Sequence, residues 1–318
     1  MTGSLTDVPG LRVGHATDLE KITGCTAILC PGGAVGGVEI RGWASGVAGL
    51  DLLDPRHLTE RIHGVVLAGG SAFGLEAIAG VMAALEAEGI GFPTGPAVVP
   101  LVAGAILFDL ALGDPRARPD RAMGERAARA ATAGPVAEGS VGAGTGATVG
   151  KLYGLARAMK GGIGSASLRA DEAVVGALVA VNAFGDVRDP ESGRLLAGTR
   201  ASPGSRDLVD TARALREGAP PPAFRGLHTT IGVVATDARL TKPQAAVLAG
   251  LAHLGLARTL SPPHTTVDGD TLFALSTGER EVPLDRLGLA AQEAVARAVV
   301  RAVTTATSLG GVPACRDR

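Results

Sequence analysis

The sequence predicts an α/β fold, and three observations support this prediction. Runs of β-branched residues typical of buried strands alternate with alanine- and leucine-rich stretches that have helical spacing. Residues 62–68 (IHGVVLA) predict a buried strand, which a Gly-Gly-Ser turn joins to a helix at 73–87 that ends before Gly89. With only six Phe, one Trp and one Tyr, the core must consist mainly of Ala, Val, Leu and Ile side chains.

Further elements follow from the same periodicities. Strands are predicted at 174–183 and 231–235, and helices at 121–133, 244–254 and 287–306. Residues 186–227 are polar and rich in arginine, and three consecutive prolines stand at 220–222. Because proline cannot lie inside a helix, these prolines predict an exposed, extended connector that leads to His228, Thr229 and the strand at 231–235.

Composition excludes several classes of protein. The 318 residues are 46% hydrophobic, and the 47 glycines and 19 prolines have no Gly-X-Y period, which excludes collagen and wholesale disorder. A net charge of −1 provides no basic surface for a polyphosphate, and few aromatic side chains are present to stack on bases. Nucleic acid is therefore not an expected partner.

The cysteines and the apolar runs predict a soluble, cytoplasmic protein. Cys25, Cys30 and Cys315 are a sparse, odd set without metal-ligand spacing, which is typical of a reducing compartment. The N-terminus lacks the basic and apolar regions of a secretory signal. The longest apolar run, 97–108, has 12 residues, whereas a membrane span needs about 20.

Two glycine-rich segments are candidates for chemistry. Ser71, in the Gly-Gly-Ser-Ala-Phe-Gly turn between strand and helix, stands where a nucleophile elbow would place its serine. The second glycine comes one position late for that motif, so a tight turn is the alternative. Residues 139–151 contain five glycines before Lys151 but lack the spacing of a P-loop. Lys151 is either solvated or, in a buried site, a fixed cation with a lowered pKa.

Polar residues within apolar surroundings provide further candidates. Asn182 interrupts a buried strand, so its amide must be hydrogen-bonded, either as a structural bridge or as a donor to a ligand. Asp268 and Asp270 are two residues apart, which favours one face of a strand and a raised pKa for one of them. The alternatives for this pair are an Asp-Gly turn or half of a divalent-metal site. The six histidines show no metal-ligand spacing and no serine-protease triad.

Thr229 follows the proline connector at the start of a predicted strand. A threonine at a strand start is common, so a structural role is one interpretation. The functional interpretation is a nucleophile activated by its own α-amine, which titrates near 8. Such an amine exists only after cleavage between His228 and Thr229, so this hypothesis requires the chain to cut itself.

Several motifs in this order carry a family resemblance. They are HTTIGVVATDA (228–238) and TVDGDTLFA (266–274), supported by LTDVPGLRVGH (5–15), GCTAIL (24–29), VLAGGSAFGLEA (66–77), VGAGTGATVGK (141–151) and VNAFGDV (181–187). With these motifs, the sequence resembles the self-cleaving peptidases typified by L-aminopeptidase/D-amidase/esterase, which also include β-peptidyl aminopeptidases and the nylon-oligomer hydrolase.

The resemblance implies a four-layer αββα sandwich, similar to N-terminal-nucleophile hydrolases. It implies one domain, 1–318, that cleaves itself into an α-chain 1–228 and a β-chain 229–318 and hydrolyses amide or ester bonds of N-terminal amino-acyl substrates. It further implies no cofactor or metal, a small peptide or amide as substrate, and homotetramers of αβ units.

Site roles also follow from the resemblance. Thr229 is the implied nucleophile, Lys151 and Asn182 are implied active-site residues, and Asn182 donates to the oxyanion. Asp268 and Asp270 are implied to orient the nucleophile and its amine. The loop with Gly144 and Gly146, together with Phe108, is expected to shape the substrate pocket.

Two residues depart from the family pattern. His228 precedes the nucleophile where relatives often have Asn or Gly, and Phe108 stands where several have a tyrosine hydroxyl near the oxyanion. Loss of one oxyanion donor can lower a rate by about 10² to 10³. Two other functions therefore stay open: a serine hydrolase that uses Ser71, and a non-catalytic small-molecule-binding homologue.

Overall fold

A computed structural model describes residues 3–220 and 228–317. The strands are β1 (Arg12–Asp18), β2 (Thr23–Gly42), β3 (Val47–Ala48), β4 (Arg61–Ala68), β5 (Phe92–Pro93), β6 (Val98–Val99), β7 (Val102–Ile106), β8 (Thr148–Val149), β9 (Met159–Lys160), β10 (Gly162–Ala170), β11 (Ala173–Asn182), β12 (Asp186–Arg188), β13 (Leu195–Ala197), β14 (Thr229–Ala238), β15 (Leu260–Ser261) and β16 (Gly269–Arg280). The α-helices are α1 (Ala77–Ala87), α2 (Arg121–Arg129), α3 (Thr211–Arg216), α4 (Lys242–Thr259) and α5 (Leu284–Thr305).

The main strands form two sheet halves joined by the long strand β2. The order is β10-β11-β14-β16-β2-β4-β7-β3, with β1 also paired to β2. The first part of β2 pairs with β1 and β4, the pairing register shifts between Leu29 and Ala34, and the second part pairs with β16. Strand β2 therefore passes from one half to the other.

Three hydrophobic cores separate four layers. One core lies between α1, α2 and the β1-β2-β4-β7 half, and a second lies between α4, α5 and the β10-β11-β14-β16 half. The third contains alternate residues of both halves, such as Leu67 and Ala105 from one and Leu178 and Ile231 from the other. Since successive strand residues point to opposite faces, each half is buried on both sides. The expected αββα sandwich is confirmed.

Most predicted elements are present, and their ends differ for identifiable reasons. The helix predicted at 73–87 begins as a 3-10 turn, Ser71–Glu76, before α1. Helix α2 ends at Arg129 rather than at 133, because Thr132 leaves the helix to exchange backbone hydrogen bonds with Val13 of β1. Helix α4 is longer than predicted at both ends, because Thr241 and Gln244 form a capping box at its start and Leu256 and Thr259 are buried near its end.

The polar segment after β11 is more structured than its composition indicates. It contains β12, β13 and α3, and the buried Asp186 joins them, accepting the Thr199 N–H at 2.8 Å and the Thr211 N–H at 2.6 Å. The predicted extended connector at 220–222 lies outside the described residues from position 221 onward.

Within the described ranges, none of the helices combines the length and the apolar character needed to cross a lipid bilayer.

Candidate active site

Thr229 lies at one end of the core between the two sheet halves. It is the first residue of β14 and the antiparallel partner of Asn182, the last residue of β11. Both side chains lie on the face that Ile231 and Ala180 contribute to the inter-sheet core, and both are buried. Directly opposed residues have Cβ atoms about 5 Å apart, so the Asn182 amide lies beside the Thr229 hydroxyl.

The carbonyl group before Thr229 is held from two sides. The Thr229 hydroxyl donates to the His228 carbonyl oxygen at 2.5 Å, and the Gly269 N–H donates to the same oxygen at 3.1 Å. The second contact arises because His228 forms a parallel bridge with Asp268, at the point where β14 and β16 begin side by side. The bond before Thr229 thus has a hydroxyl and a backbone donor directed at its carbonyl.

Lys151 is a buried cation directed at the end of β11. The backbone N–H groups of Gly150 and Lys151 donate to the carbonyls of Gly185 and Phe184, both at 3.0 Å. Gly150 has a φ of +70°, and a Cβ there would stand 2.0 Å from the Gly198–Thr199 backbone, so only glycine allows this approach. The Lys151 ammonium donates to Asn182 Oδ1 at 2.8 Å and to the Asn182 carbonyl at 3.0 Å.

Burial lowers the pKa of Lys151 to about 7, although the nearby Asp268 carboxylate opposes this shift. Of the two alternatives that the sequence left open for Lys151, the structure shows the buried one. Near neutral pH this amine can exchange a proton.

Asn182 connects three segments of the site. Its Oδ1 accepts the Thr148 N–H at 3.0 Å as well as the Lys151 ammonium, and its Nδ2 donates to the Phe108 carbonyl at 3.0 Å. The buried amide is hydrogen-bonded, as its position in an apolar strand requires. Phe108 itself is half-buried and contacts Asn182 through its backbone.

Asp268 directly precedes β16 and Asp270 is the second residue of this strand, and both are buried. Asp268 accepts the Phe184 N–H at 3.1 Å, and the Thr265 hydroxyl and backbone N–H bind its other oxygen. Asp270 accepts the Thr230 N–H at 2.7 Å, directly beside the candidate nucleophile. Burial, together with the charge of Asp270, raises the pKa of Asp268. The pair forms part of a buried site rather than an exposed turn.

His228 is buried, with its ring 5.3 Å from Phe184 in an edge-to-face arrangement. Burial and the neighbouring Lys151 lower its pKa to about 2, so the ring is neutral. Neither ring nitrogen has a hydrogen-bond partner among the residues described. An imidazole held in this way packs as an apolar ring next to the bond before Thr229.

The glycine-rich loop is packed closely against its surroundings. A Cβ on Gly144 would stand 2.3 Å from the Ile163 nitrogen, and one on Gly146 would stand 2.5 Å from the Asp109 Cβ. Both glycines are buried, so they permit close backbone packing behind Lys151. Contact with substrate by Gly144, Gly146 or Phe108 stays a prediction.

Sequence reasoning missed two buried ionisable residues, Lys160 and Asp109. Lys160 donates to the carbonyls of Thr145 (2.7 Å) and Ala147 (2.6 Å) and so holds the loop from behind. Asp109 accepts the Thr23 hydroxyl at 2.8 Å and the Gly70 N–H at 2.6 Å. Burial lowers the pKa of Lys160 to about 7 and raises that of Asp109 to about 6. No local motif marks either residue.

Among residues 3–220 and 228–317, no histidine is hydrogen-bonded to Ser71. Its backbone has a φ of 54°, and its N–H donates to the Leu107 carbonyl at 3.0 Å. Each histidine that forms a hydrogen bond in the described chain has a different partner. The described residues also contain no group of three or more His, Cys, Asp or Glu side chains that could hold a metal ion.

Known proteins resemble this chain in sequence and in fold. The model of Peptidase family S58 matches residues 3–315. An uncharacterized aminopeptidase of Mycobacterium leprae is 40% identical over 98% of this chain and 92% of its own length. The 6-aminohexanoate-oligomer endohydrolase of a Kocuria species is 35% identical over 87% of this chain and 76% of its own.

Among solved structures, the L-aminopeptidase D-Ala-esterase/amidase of Ochrobactrum anthropi, described as a variant of the Ntn hydrolase fold, superposes with a TM-score of 0.72. It is 25% identical, over 98% of this chain and 90% of that chain. The family match over nearly the whole chain and the fold agree. The chain therefore belongs to peptidase family S58 and is a peptidase or amidohydrolase of the N-terminal-nucleophile type.

Proposed function

We propose that this protein is a self-processing aminopeptidase or amidohydrolase whose nucleophile is Thr229. The observation that carries the proposal is the 2.5 Å contact between the Thr229 hydroxyl and the His228 carbonyl, which also accepts the Gly269 N–H. Cleavage at this bond leaves an α-chain 1–228 and a β-chain 229–318. The substrates are amide or ester bonds of N-terminal amino-acyl compounds, the kind of reaction that the relatives' names describe.

Self-cleavage begins with attack by Thr229 Oγ1 on the His228 carbonyl carbon, through a five-membered ring. The negative charge that develops on the His228 oxygen is stabilised by the Gly269 N–H, a donor already in position. The hydroxyl proton moves to the amide nitrogen as the C–N bond breaks, so the acyl group shifts from nitrogen to oxygen. Water then hydrolyses the ester and leaves Thr229 with a free α-amine.

Turnover uses the same residues. The freed α-amine takes the proton of the Thr229 hydroxyl as it attacks the substrate carbonyl. Lys151, with its pKa near neutrality, exchanges protons with that amine and holds Asn182 in place. We assign the Asn182 carboxamide, which the strand register sets opposite Thr229, as a donor to the oxyanion of the substrate. Asp268 and Asp270 balance the buried positive charge.

The proposal is tested by the intact mass of the purified protein under denaturing conditions. We expect two species of roughly 9 and 23 kDa, in proportion to the 31.7 kDa of the whole chain, with Thr229 as a new N-terminus. A single 31.7 kDa species that stays stable for days at neutral pH would contradict the proposal. That result, with no reaction on amide substrates, would support the non-catalytic homologue instead.

Replacing Ser71 with alanine separates the proposal from a serine hydrolase. We expect Ser71→Ala to cleave itself and to hydrolyse substrate within about twofold of the wild type, because the site around Thr229 is intact. Self-cleavage is followed by mass, and turnover by release of p-nitroaniline from aminoacyl p-nitroanilides. Intact self-cleavage with turnover abolished would assign the substrate reaction to Ser71.

A further inference from the structure

His264 contacts Asp270 on the side away from the nucleophile. Its Nδ1 lies 2.8 Å from Asp270 Oδ2, and its backbone N–H reaches the same oxygen at 3.3 Å. The other oxygen of Asp270 accepts the Thr230 N–H. The carboxylate therefore connects the residue after the nucleophile to residue 264. Neither composition nor motif spacing assigns a role to this histidine.

The tautomer of His264 follows from its surroundings. Its Nε2 is buried and has no hydrogen-bond partner in the described chain. A proton placed on Nε2 alone would leave a buried donor unsatisfied, at a cost of about 1–3 kcal/mol. The Nδ1–H tautomer instead satisfies both Nδ1 and the carboxylate. His264 thus acts on Asp270 as a hydrogen-bond donor.

The two aspartates of the site consequently have different partners. Asp270 accepts three N–H groups, those of Thr230 N, His264 Nδ1 and His264 N. An N–H group cannot accept a hydrogen bond, so a protonated Asp270 would lose one of these contacts wherever its O–H points. Asp268 has the Thr265 hydroxyl as one partner, and a hydroxyl can rotate to accept a hydrogen bond instead of donating one. A proton on Asp268 is therefore accommodated more easily than one on Asp270.

We propose that His264 is a positioning residue that holds Asp270 as the ionised member of the aspartate pair. The proton exchanged near neutral pH is then carried by Asp268, which faces Lys151. This inference rests on the proposed function, because it assigns a proton to the site that surrounds Thr229. The raised pKa of Asp268, caused by burial and by the charge of Asp270, agrees with this division.

Other charged groups face this arrangement from each neighbouring element. Arg41 is the register partner of Asp270 on β2, and it forms a half-exposed ion pair with Glu39. His253 of α4 packs its ring edge-to-face on His264 at 5.0 Å, and its Nε2 donates to the Glu39 carbonyl at 3.0 Å. Burial lowers the pKa of His253 to about 4, so this ring is neutral and supports His264 by packing.

The test compares two replacements of His264. His264 has a φ of +49°, which glycine and asparagine both tolerate. His264→Asn can place an N–H near the position of Nδ1, whereas His264→Gly removes the donor without backbone strain. The acid limb is the pH range in which the self-cleavage rate falls as the pH is lowered. We expect this limb to stay near its wild-type pH in His264→Asn. In His264→Gly we expect it to move up by about one pH unit, because the Nδ1–H donor that stabilises the charged pair is lost.

His253→Phe is the matched control for packing, because it keeps a ring against His264 but removes the bond to Glu39. We expect it to lower thermal stability without moving the acid limb. If His264→Gly behaves in the same way, with a lower rate at every pH and an unmoved limb, His264 is only structural and the inference is wrong. A shift of the acid limb in His264→Asn as large as that in His264→Gly would also contradict the inference.

A second readout does not require cleavage. The ¹³C carboxyl signals of Asp268 and Asp270 are titrated in Thr229→Ala and in Thr229→Ala/His264→Gly. We expect the carboxyl signals of the pair to titrate differently in the double variant, because it lacks the Nδ1–H donor to Asp270. If the titrations differ as expected but the wild-type protein never cleaves itself, the inference stands and the proposed function is wrong. Unchanged titrations in a protein that does cleave would overturn the inference alone.

Discussion

Thr229→Ala is expected to remain a single chain of 318 residues with no amidase activity. Without the hydroxyl, nothing can attack the His228 carbonyl, and the loss of rate should be on the order of 10⁶-fold, as is typical of removing a hydrolase nucleophile. Denaturing mass spectrometry over several days at neutral pH measures this directly. Because one hydrogen bond is lost, the free energy of unfolding should change by only about 1 kcal/mol.

Thr230→Ala is the matched control for this experiment. The Thr230 hydroxyl is buried and has no hydrogen-bond partner among residues 3–220 and 228–317, while its backbone N–H, which binds Asp270, is retained in the variant. We therefore expect normal cleavage in Thr230→Ala and slower but complete cleavage in Thr229→Ser, which keeps a hydroxyl. Cleavage of Thr229→Ala at the same bond would assign the attack to another group.

Lys151→Met is expected to separate activity from stability. The lysine holds Asn182 and supplies the buried positive charge, so we expect self-cleavage and turnover to fall by about 10² to 10³. Stability should be unchanged or increased, because a buried cation is replaced by an apolar side chain of similar length. Asn182 Oδ1 retains the Thr148 N–H as a donor.

The pH dependence of the free energy of unfolding tests the lowered pKa of Lys151. The pKa of Lys151 is about 7 in the folded protein and 10.5 ordinarily, so between these values the unfolded chain binds a proton that the folded chain does not. The free energy of unfolding therefore gains a contribution that increases with pH across this window, and Lys151→Met should lack it. Chemical denaturation at pH 7 and pH 9 measures the difference. Lys21→Met, at an exposed lysine, should change neither rate nor slope.

The candidate site could be found in the sequence wherever a residue contradicts its local surroundings. Asn182 within an apolar strand and Lys151 after a run of glycines both stand out, because a buried polar group needs a partner. The Asp268/Asp270 pair and Thr229 also had ordinary structural interpretations, and their site roles came from the family resemblance. The α/β class and the main helices followed from periodicity, which depends on neighbouring residues alone.

Partners far apart in the chain could not be found in this way. Phe184 N and Asp268 are 84 residues apart, Thr230 N and Asp270 are 40 apart, and Lys151 and Asn182 are 31 apart. His264, Lys160 and Asp109 have no local signature, since each owes its role to groups brought next to it by folding. The lowered pKa of Lys160 and the raised pKa of Asp109 come from burial, which a list of neighbours in sequence does not contain.

The sequence by itself determined the α/β class of this protein and the residue types available for its chemistry, because apolar periodicity and polar residues within apolar segments are local properties. Only the tertiary structure decided the register that sets Asn182 opposite Thr229 and places the Gly269 N–H on the His228 carbonyl. The physical reason is that β-sheet pairing joins segments through backbone hydrogen bonds that any sequence can form. Their register is selected by the burial of both faces at once.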